Sequence, residues 1–284
     1  MGMISKLKSL KIMAVLAILG ITAVSAACTP TSPAAAQQYP PAISYVDTQI
    51  RQMGSMTPGT DVNFFIRTSL DSASPMISVI YYKDVTPPVN TKQPAFSEPS
   101  TYTLMPPSER ANIWQLVTPG RHTFSAQIVY ANNSTSFTPP VITQTTIDVP
   151  AYDYKGPLIT DFSAQPNIPI PQYFTTPQPV PPSQVQIAVS TRNIFINDDA
   201  VGKANVAGQG HIIYYIDVAP PTTPGQPATT KSGSYKITTD TFQLWVNVAT
   251  GTHTFAVQVV NNDNTPLDPP VTAQIMLTIP KVVQ

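Results

Sequence analysis

The sequence has little charge and almost no cysteine. Charged side chains make up only 11 % of its 284 residues, whereas an average soluble protein has about 25 %. The 15 basic and 15 acidic residues cancel, and no basic stripe offers the cluster of cations that nucleic-acid phosphates require. Because Cys28 is the single cysteine, a disulfide within the chain is excluded.

Catalytic motifs are also missing. The chain has three histidines and no GxSxG, HExxH, Walker A or GxGxxG pattern. The glycines at 208–211 precede a predicted strand rather than a helix, so they do not form a phosphate cradle. The adjacent carboxylates Asp198 and Asp199 tend to point apart on an extended chain. We therefore expect a non-catalytic protein.

Helical periodicity is absent after Cys28, and alternation takes its place. The 32 prolines disfavour long helices. Apolar residues alternate with polar or small ones in 185–190 and 254–259, which predicts strands with one inward face. Turns rich in proline, glycine and asparagine separate these runs and favour an antiparallel arrangement.

The chain repeats itself. Residues 80–88 (IYYKDVTPP) match 213–221 (IYYIDVAPP), and 119–133 match 250–264. Residues 139–150 match 269–280. Because the offset shrinks only at loops, from 133 to 130, a duplicated fold is indicated. We predict an all-β protein of two tandem immunoglobulin-like antiparallel β-sandwiches, residues 41–150 and 158–284, joined by a linker at 151–157.

The N-terminus resembles an export signal. Three lysines precede an apolar run at 12–24, and small residues follow at 25–27, so we predict a signal peptide over 1–27. The run is shorter than the roughly 20 residues of a membrane-spanning helix. Cys28 resembles the lipidated cysteine of a bacterial lipoprotein, which implies a membrane anchor. The alternative is cleavage after Ala26 or Ala27, with Cys28 incidental. Residues 28–40 are predicted to be a flexible tether.

One histidine differs between the repeats. His211 begins a predicted strand, and its counterpart is Ser78. Asp198, Asp199 and Asp263 are expected at the same end of the second sandwich. Carboxylates with one imidazole suit a divalent metal. The alternative is a solvated end of polar turns.

The other two histidines are counterparts. His122 and His253 both follow a glycine and begin strands, so the shared fold explains them best, with each ring bonded to loop backbone. His253 and His211 should lie at opposite ends of neighbouring strands, too far apart to share a ligand.

Matched aromatic residues suggest a second candidate site. Trp114 matches Trp245, and Tyr82 matches Tyr215. If their faces are open, they form a recognition surface for a protein or carbohydrate partner. Alternatively, they pack under the long proline-rich loops or against the other domain.

The second repeat resembles a known family in its residues GQGHIIYYIDV, PTTPGQPA and GTHTFAVQVVNNDNTPLDPPV, which begin at 208, 221 and 251. This is an uncharacterised family of exported β-sandwich domains in bacteria and archaea. The resemblance implies a metal-binding end with three histidines. His211 stands at the first of these positions, and Ile213 and Asn264 replace the other two. In the first repeat the three positions hold Ser78, Ile80 and Asn133.

These features predict a non-catalytic, exported protein on the extracellular face of the cell envelope, lipid-anchored through Cys28. It would act as a binding or structural module with a protein or carbohydrate partner and without nucleic acid. The alternative function is metal or small-ligand binding at the loop end around His211.

Overall fold

A computed structural model describes residues 41–53, 58–69, 77–105, 111–167 and 183–279. Apart from one 3₁₀ turn at Asp198–Ala200, all regular structure in these ranges is β-strand. The predicted signal peptide, Cys28 and the tether lie outside the described residues. No helix in the described ranges is long and apolar enough to cross a membrane.

Each repeat supplies its own set of strands. The first repeat contains β1 (Ile43–Met53), β2 (Gly59–Thr68), β3 (Ile77–Lys83), β4 (Tyr102–Met105), β5 (Ala111–Trp114), β6 (Gly120–Tyr130) and β7 (Ser136–Val149). The second contains β8 (Leu158–Asn167), β9 (Ser183–Arg192), β10 (Phe195–Ile196), β11 (Gln209–Ile216), β12 (Tyr235–Thr238), β13 (Phe242–Val248), β14 (Gly251–Val260) and β15 (Pro266–Ile279).

The strands form two sheets. Sheet A has the order β13-β9-β8-β1-β2-β5, and sheet B has the order β10-β11-β14-β15-β7-β6-β3-β4, with β12 also paired to β11. Neighbouring strands in the described residues are antiparallel except β10 and β11, which run parallel. The predicted all-β sandwich architecture is confirmed.

Both sheets continue across the boundary between the repeats. In sheet A, β1 pairs with β8 from Val46↔Ala164 to Gln49↔Asp161. In sheet B, β7 pairs with β15 from Ile147↔Ala273 to Gln144↔Met276. The two repeats are therefore joined side by side through backbone hydrogen bonds in both layers, in addition to the covalent connection at 151–157.

We call the boundary formed by the β1–β8 and β7–β15 pairings the seam. The strand pairing across the seam is symmetric. Thr145 lies opposite Ile275, and these two residues occupy equivalent positions in the repeats, 130 apart. Asp47 lies opposite Ser163, and strands β1 and β8 each carry a bulge at the matching place. A residue that pairs antiparallel with its own counterpart marks an approximate two-fold axis, as in an isologous dimer.

One hydrophobic core fills the space between the sheets and spans both repeats. Its largest aromatic side chains include Phe64, Phe124, Phe162 and Phe255, all fully buried. Phe255 belongs to the alternating run 254–259 recognised in the sequence, and all four rings face inward because every second residue of a strand faces the opposite sheet. Burying each such ring stabilises the fold by about 1.5–3 kcal/mol.

Candidate functional site

Two glycines shape the start of the strand that carries His211. Gly208 has a φ of +77°, which a glycine adopts without strain. Gly210 lies so close to β14 that an added Cβ would be 2.2 Å from the carbonyl oxygen of Val260. The conformation of the loop and the close approach of β14 therefore explain the two glycines before His211. They lead into a strand and not into a helix that could bind phosphate.

His211 is fully buried on the outer face of sheet B. Its Nε2 lies 3.0 Å from Oδ1 of Asn264, to which it donates a hydrogen bond in the neutral tautomer. Burial lowers the pKa of His211, while the bond to Asn264 and the charge of Asp263 act in the opposite direction. Its Nδ1 has no hydrogen-bond partner among the described residues. His211 is therefore a neutral, enclosed imidazole.

Two of the three predicted carboxylates, Asp263 and Asp198, accept hydrogen bonds from protein side chains, and Asp199 is exposed. Asp263 accepts hydrogen bonds from Asn205 Nδ2 at 2.9 Å and Thr265 Oγ1 at 2.6 Å. Burial acts to raise the pKa of Asp263, but these bonds outweigh it and lower the value. Asp198 accepts a bond from the Thr239 hydroxyl. The side chain that caps the short 3₁₀ turn is Asn197, which accepts from the backbone NH of Asp199.

The loop before β11 and the turn after β14 meet, as the sequence predicted. Gly202 N donates to Asn262 O at 2.6 Å. However, the described part of the chain contains no group of three or more His, Cys, Asp or Glu side chains placed to hold a metal ion. The structure thus does not assemble His211, Asp198, Asp199 and Asp263 into the predicted coordination set.

His211 instead supports a loop contact that both repeats possess. Asn264, which His211 holds at a φ of +67°, accepts a backbone hydrogen bond from Ala228 at 2.7 Å. In the first repeat Ser134, at a φ of +54°, accepts from Ala95 at 2.9 Å. These contacts fasten each proline-rich loop to the turn after the sixth or fourteenth strand.

The predicted recognition surface at Tyr82 and Tyr215 is wrong, because both rings are fully buried. The Tyr82 hydroxyl donates to Ala95 O, 2.6 Å away, and also lies 2.7 Å from Gln127 Oε1. The Tyr215 hydroxyl makes the matching contacts at 2.7 and 2.9 Å, to Ala228 O and Gln258 Oε1. The proline-rich loops cover these rings, which is the alternative that the sequence left open.

The tryptophans are not an open surface either. Trp245 is buried against the core and Trp114 is half-buried against it. Lys236 and Lys83 place their Nζ atoms 4.9 and 5.5 Å from the centres of the two indole rings. Facing outward are smaller apolar neighbours, including Ile113, Leu244 and Val246. The larger tryptophan ring takes the inner face because it removes more apolar area from water.

His122 and His253 make the same hydrogen bonds in the two repeats, and we call this arrangement the histidine lock. Each Nδ1 bonds to an aspartate, Asp84 at 2.8 Å and Asp217 at 2.7 Å. Each Nε2 faces a backbone carbonyl, that of Thr118 at 2.8 Å and of Ala249 at 2.9 Å. The predicted bonding of these histidines to loop backbone is confirmed.

The aspartates of the histidine lock also accept hydrogen bonds from the backbone. Asp84 and Asp217 have φ values of +58° and +56°, and each accepts the backbone NH that follows the histidine. The lock therefore fixes a strand end and the loop leaving the neighbouring strand. The separation of His253 from His211 is also confirmed, because His211 lies opposite Val260 at the far end of β14.

A carboxyl pair on the seam was missed by the sequence reasoning. Asp47 on β1 is buried, and Asp161 on β8 is half-buried within hydrogen-bonding reach of it. Burial, the hydrogen bond and the charge of Asp47 together raise the pKa of Asp161 to about 7. Only the seam pairing brings them together, since 114 residues separate them in the chain.

No protein-family model matches the chain, and no curated protein matches it. Among solved structures it is similar to the fibronectin(III)-like modules of Clostridium thermocellum CbhA, with 11 % identity over 78 % of this chain and 85 % of that one, at a TM-score of 0.21. The class of protein, an immunoglobulin-like β-sandwich, therefore rests on the sheets described above.

Proposed function

We propose that this chain is a non-catalytic module of the bacterial or archaeal cell surface, in which two fused β-sandwich repeats act as one stiff structural or binding element. The observation that carries the proposal is the seam, where β1–β8 and β7–β15 continue both sheets from one repeat into the other. Flexible tandem domains would instead meet through a linker alone.

The use of the polar side chains supports a structural role. The histidines and tyrosines that the sequence singled out are bonded to loop backbone or to side-chain amides within the fold. A catalytic group needs a face toward its substrate. Metal or small-ligand binding around His211 is the weaker alternative, because the imidazole is enclosed and its Nε2 is already bonded.

Export and anchoring are part of the proposal. The lysines, apolar run and small residues before Cys28 support a lipoprotein-type signal, and the family resemblance of the second repeat supports an exported β-sandwich protein. The test is detergent phase partition of the full chain and its Cys28→Ser variant. Lipidation predicts that only the unsubstituted chain enters the detergent phase, and equal partition would contradict it.

The fused unit has a direct test, since each repeat holds one tryptophan. Trp114→Phe leaves a fluorescent probe in the second repeat, and Trp245→Phe leaves one in the first. Urea unfolding should give coincident transitions for the probe and for far-ultraviolet circular dichroism in each variant. Two separated transitions would show that the repeats unfold independently and would contradict a single stiff element.

A further inference from the structure

A cleft of about 590 Å³ lies where the two repeats meet. Its walls come from the end of β7, the 151–157 connection, the proline-rich loop at 219–222 and the segment 269–272 of β15. Its volume falls within the range of about 300–1,000 Å³ typical of small-molecule sites. Both repeats are needed to build it.

The connecting segment is held in place as a wall of this cleft. Thr60 and Gln52 donate to the carbonyls of Pro150 and Ala151 at 3.0 and 2.9 Å. Asn193 donates to Gly156 O at 3.0 Å. The Tyr154 ring rests on Gly156, where an added Cβ would lie 2.2 Å from the tyrosine oxygen. The cleft is thus largely preformed.

The walls are mostly apolar, and three of their polar side chains are bonded to one another. Arg121 Nη1 donates to Asp148 Oδ2 and to Thr272 Oγ1, both at 3.0 Å. Arg121 and Asp148 retain 46 % and 44 % side-chain exposure, so both can still reach a ligand. They are the only charged residues among the described residues that line the cleft. The lining is therefore neutral overall.

The ion pair belongs to the first repeat alone. The equivalent residues of the second repeat are Thr252 and Thr278, whose hydroxyls lie 3.0 Å apart. The fold therefore accepts two threonines at these positions. Since Arg121 and Asp148 lie at the cleft between repeats, a ligand is a better explanation for the pair than a requirement of the fold.

We propose that this cleft binds a short neutral saccharide. The guanidinium of Arg121 and the carboxylate of Asp148 would bond neighbouring hydroxyls as donor and acceptor, with Thr272 beside them. Tyr154 and the proline rings of the wall offer apolar surfaces for the C–H face of a sugar ring. A charged ligand would be repelled by the member of the pair that carries the same charge as the ligand. This inference does not depend on the structural role proposed above.

The test is a glycan array of neutral and charged oligosaccharides, probed with the purified full-length chain, followed by calorimetric titration of the best neutral glycan. Deca-proline serves as a second probe, because proline-lined walls could also contact a peptide. The variant is Arg121→Thr/Asp148→Thr, which installs the residue pair of the second repeat. An exposed ion pair contributes little to stability, so this variant should fold.

Binding of a neutral glycan should weaken at least tenfold in Arg121→Thr/Asp148→Thr and in Tyr154→Ala. The matched control Thr252→Ala/Thr278→Ala should bind like the unsubstituted chain. The proposal is overturned if no neutral glycan binds, if the Arg121→Thr/Asp148→Thr variant binds equally well, or if only charged glycans or deca-proline bind. Because none of these readouts depends on cooperativity or lipidation, each result is separable from the function proposed above.

Discussion

Asp161→Asn should make the protein more stable at pH 8 and leave its stability unchanged below about pH 4. The folded chain raises the pKa of Asp161 from 3.8 to about 7, so the folded state holds this proton more tightly than the unfolded state. The stabilisation from protonation is fully present below about pH 3.8 and is lost as the pH rises to about 7. At pH 8 the native seam carries two neighbouring carboxylates, and asparagine removes one charge.

The size of the effect follows from the shift. About three pKa units correspond to a ceiling of roughly 4 kcal/mol. Because Asp161 is half-buried and solvent screens part of the repulsion, we expect about 1–2 kcal/mol. The assay is urea unfolding of the parent and the variant at pH 4 and pH 8, with midpoints converted to free energies of unfolding.

A matched control is Asp153→Asn, the same substitution at an exposed position of the connecting segment. It should leave the free energy of unfolding unchanged at both pH values. If Asp161→Asn destabilised the protein at pH 8, or changed its stability equally at pH 4 and pH 8, the two carboxyl groups would not share the seam as described.

Three further substitutions probe the loops and the histidine lock. Tyr215→Phe leaves the buried acceptors on Ala228 and Gln258 unpaired and should cost about 1–3 kcal/mol in urea unfolding; a cost below 0.5 kcal/mol would contradict a covering loop. His253→Ala should cost about 1–2 kcal/mol by the same assay, and no loss would show that the lock is dispensable. His211→Ser should lower the melting temperature without added metal, whereas an unchanged value would argue against support of the loop contact.

The strands were predictable because their signal is local. The alternation in 185–190 and 254–259 sets which residues face inward, and the repeat offsets align two copies of one fold. The seam was not predictable, because pairing of β1 with β8 depends on which strand edges the other strands of each repeat leave unpaired. The Asp47–Asp161 pair follows from that pairing, so its raised pKa could not be inferred either.

The candidate sites show that alternation along a strand does not reveal which face is covered. Trp245 faces away from its exposed neighbours Leu244 and Val246, and the face that holds the tryptophan is the buried one. Tyr215 lies on the face of its strand away from the main core, yet the proline-rich loop that follows it in the chain covers it. Comparing the two repeats position by position drew attention to His211. The same comparison would also have found Arg121, whose counterpart in the second repeat is Thr252.

The seam also determines how a pulling force would enter the protein. The described chain begins at β1 and ends at β15, and each of these strands is hydrogen-bonded on both sides. Tension between the two ends of the chain would therefore load a central strand of each sheet rather than a strand at an edge. Either strand can be released only when its hydrogen bonds to both neighbouring strands break. For each strand, one of these two neighbours belongs to the other repeat. The junction between the duplicated halves would thus carry part of the applied force.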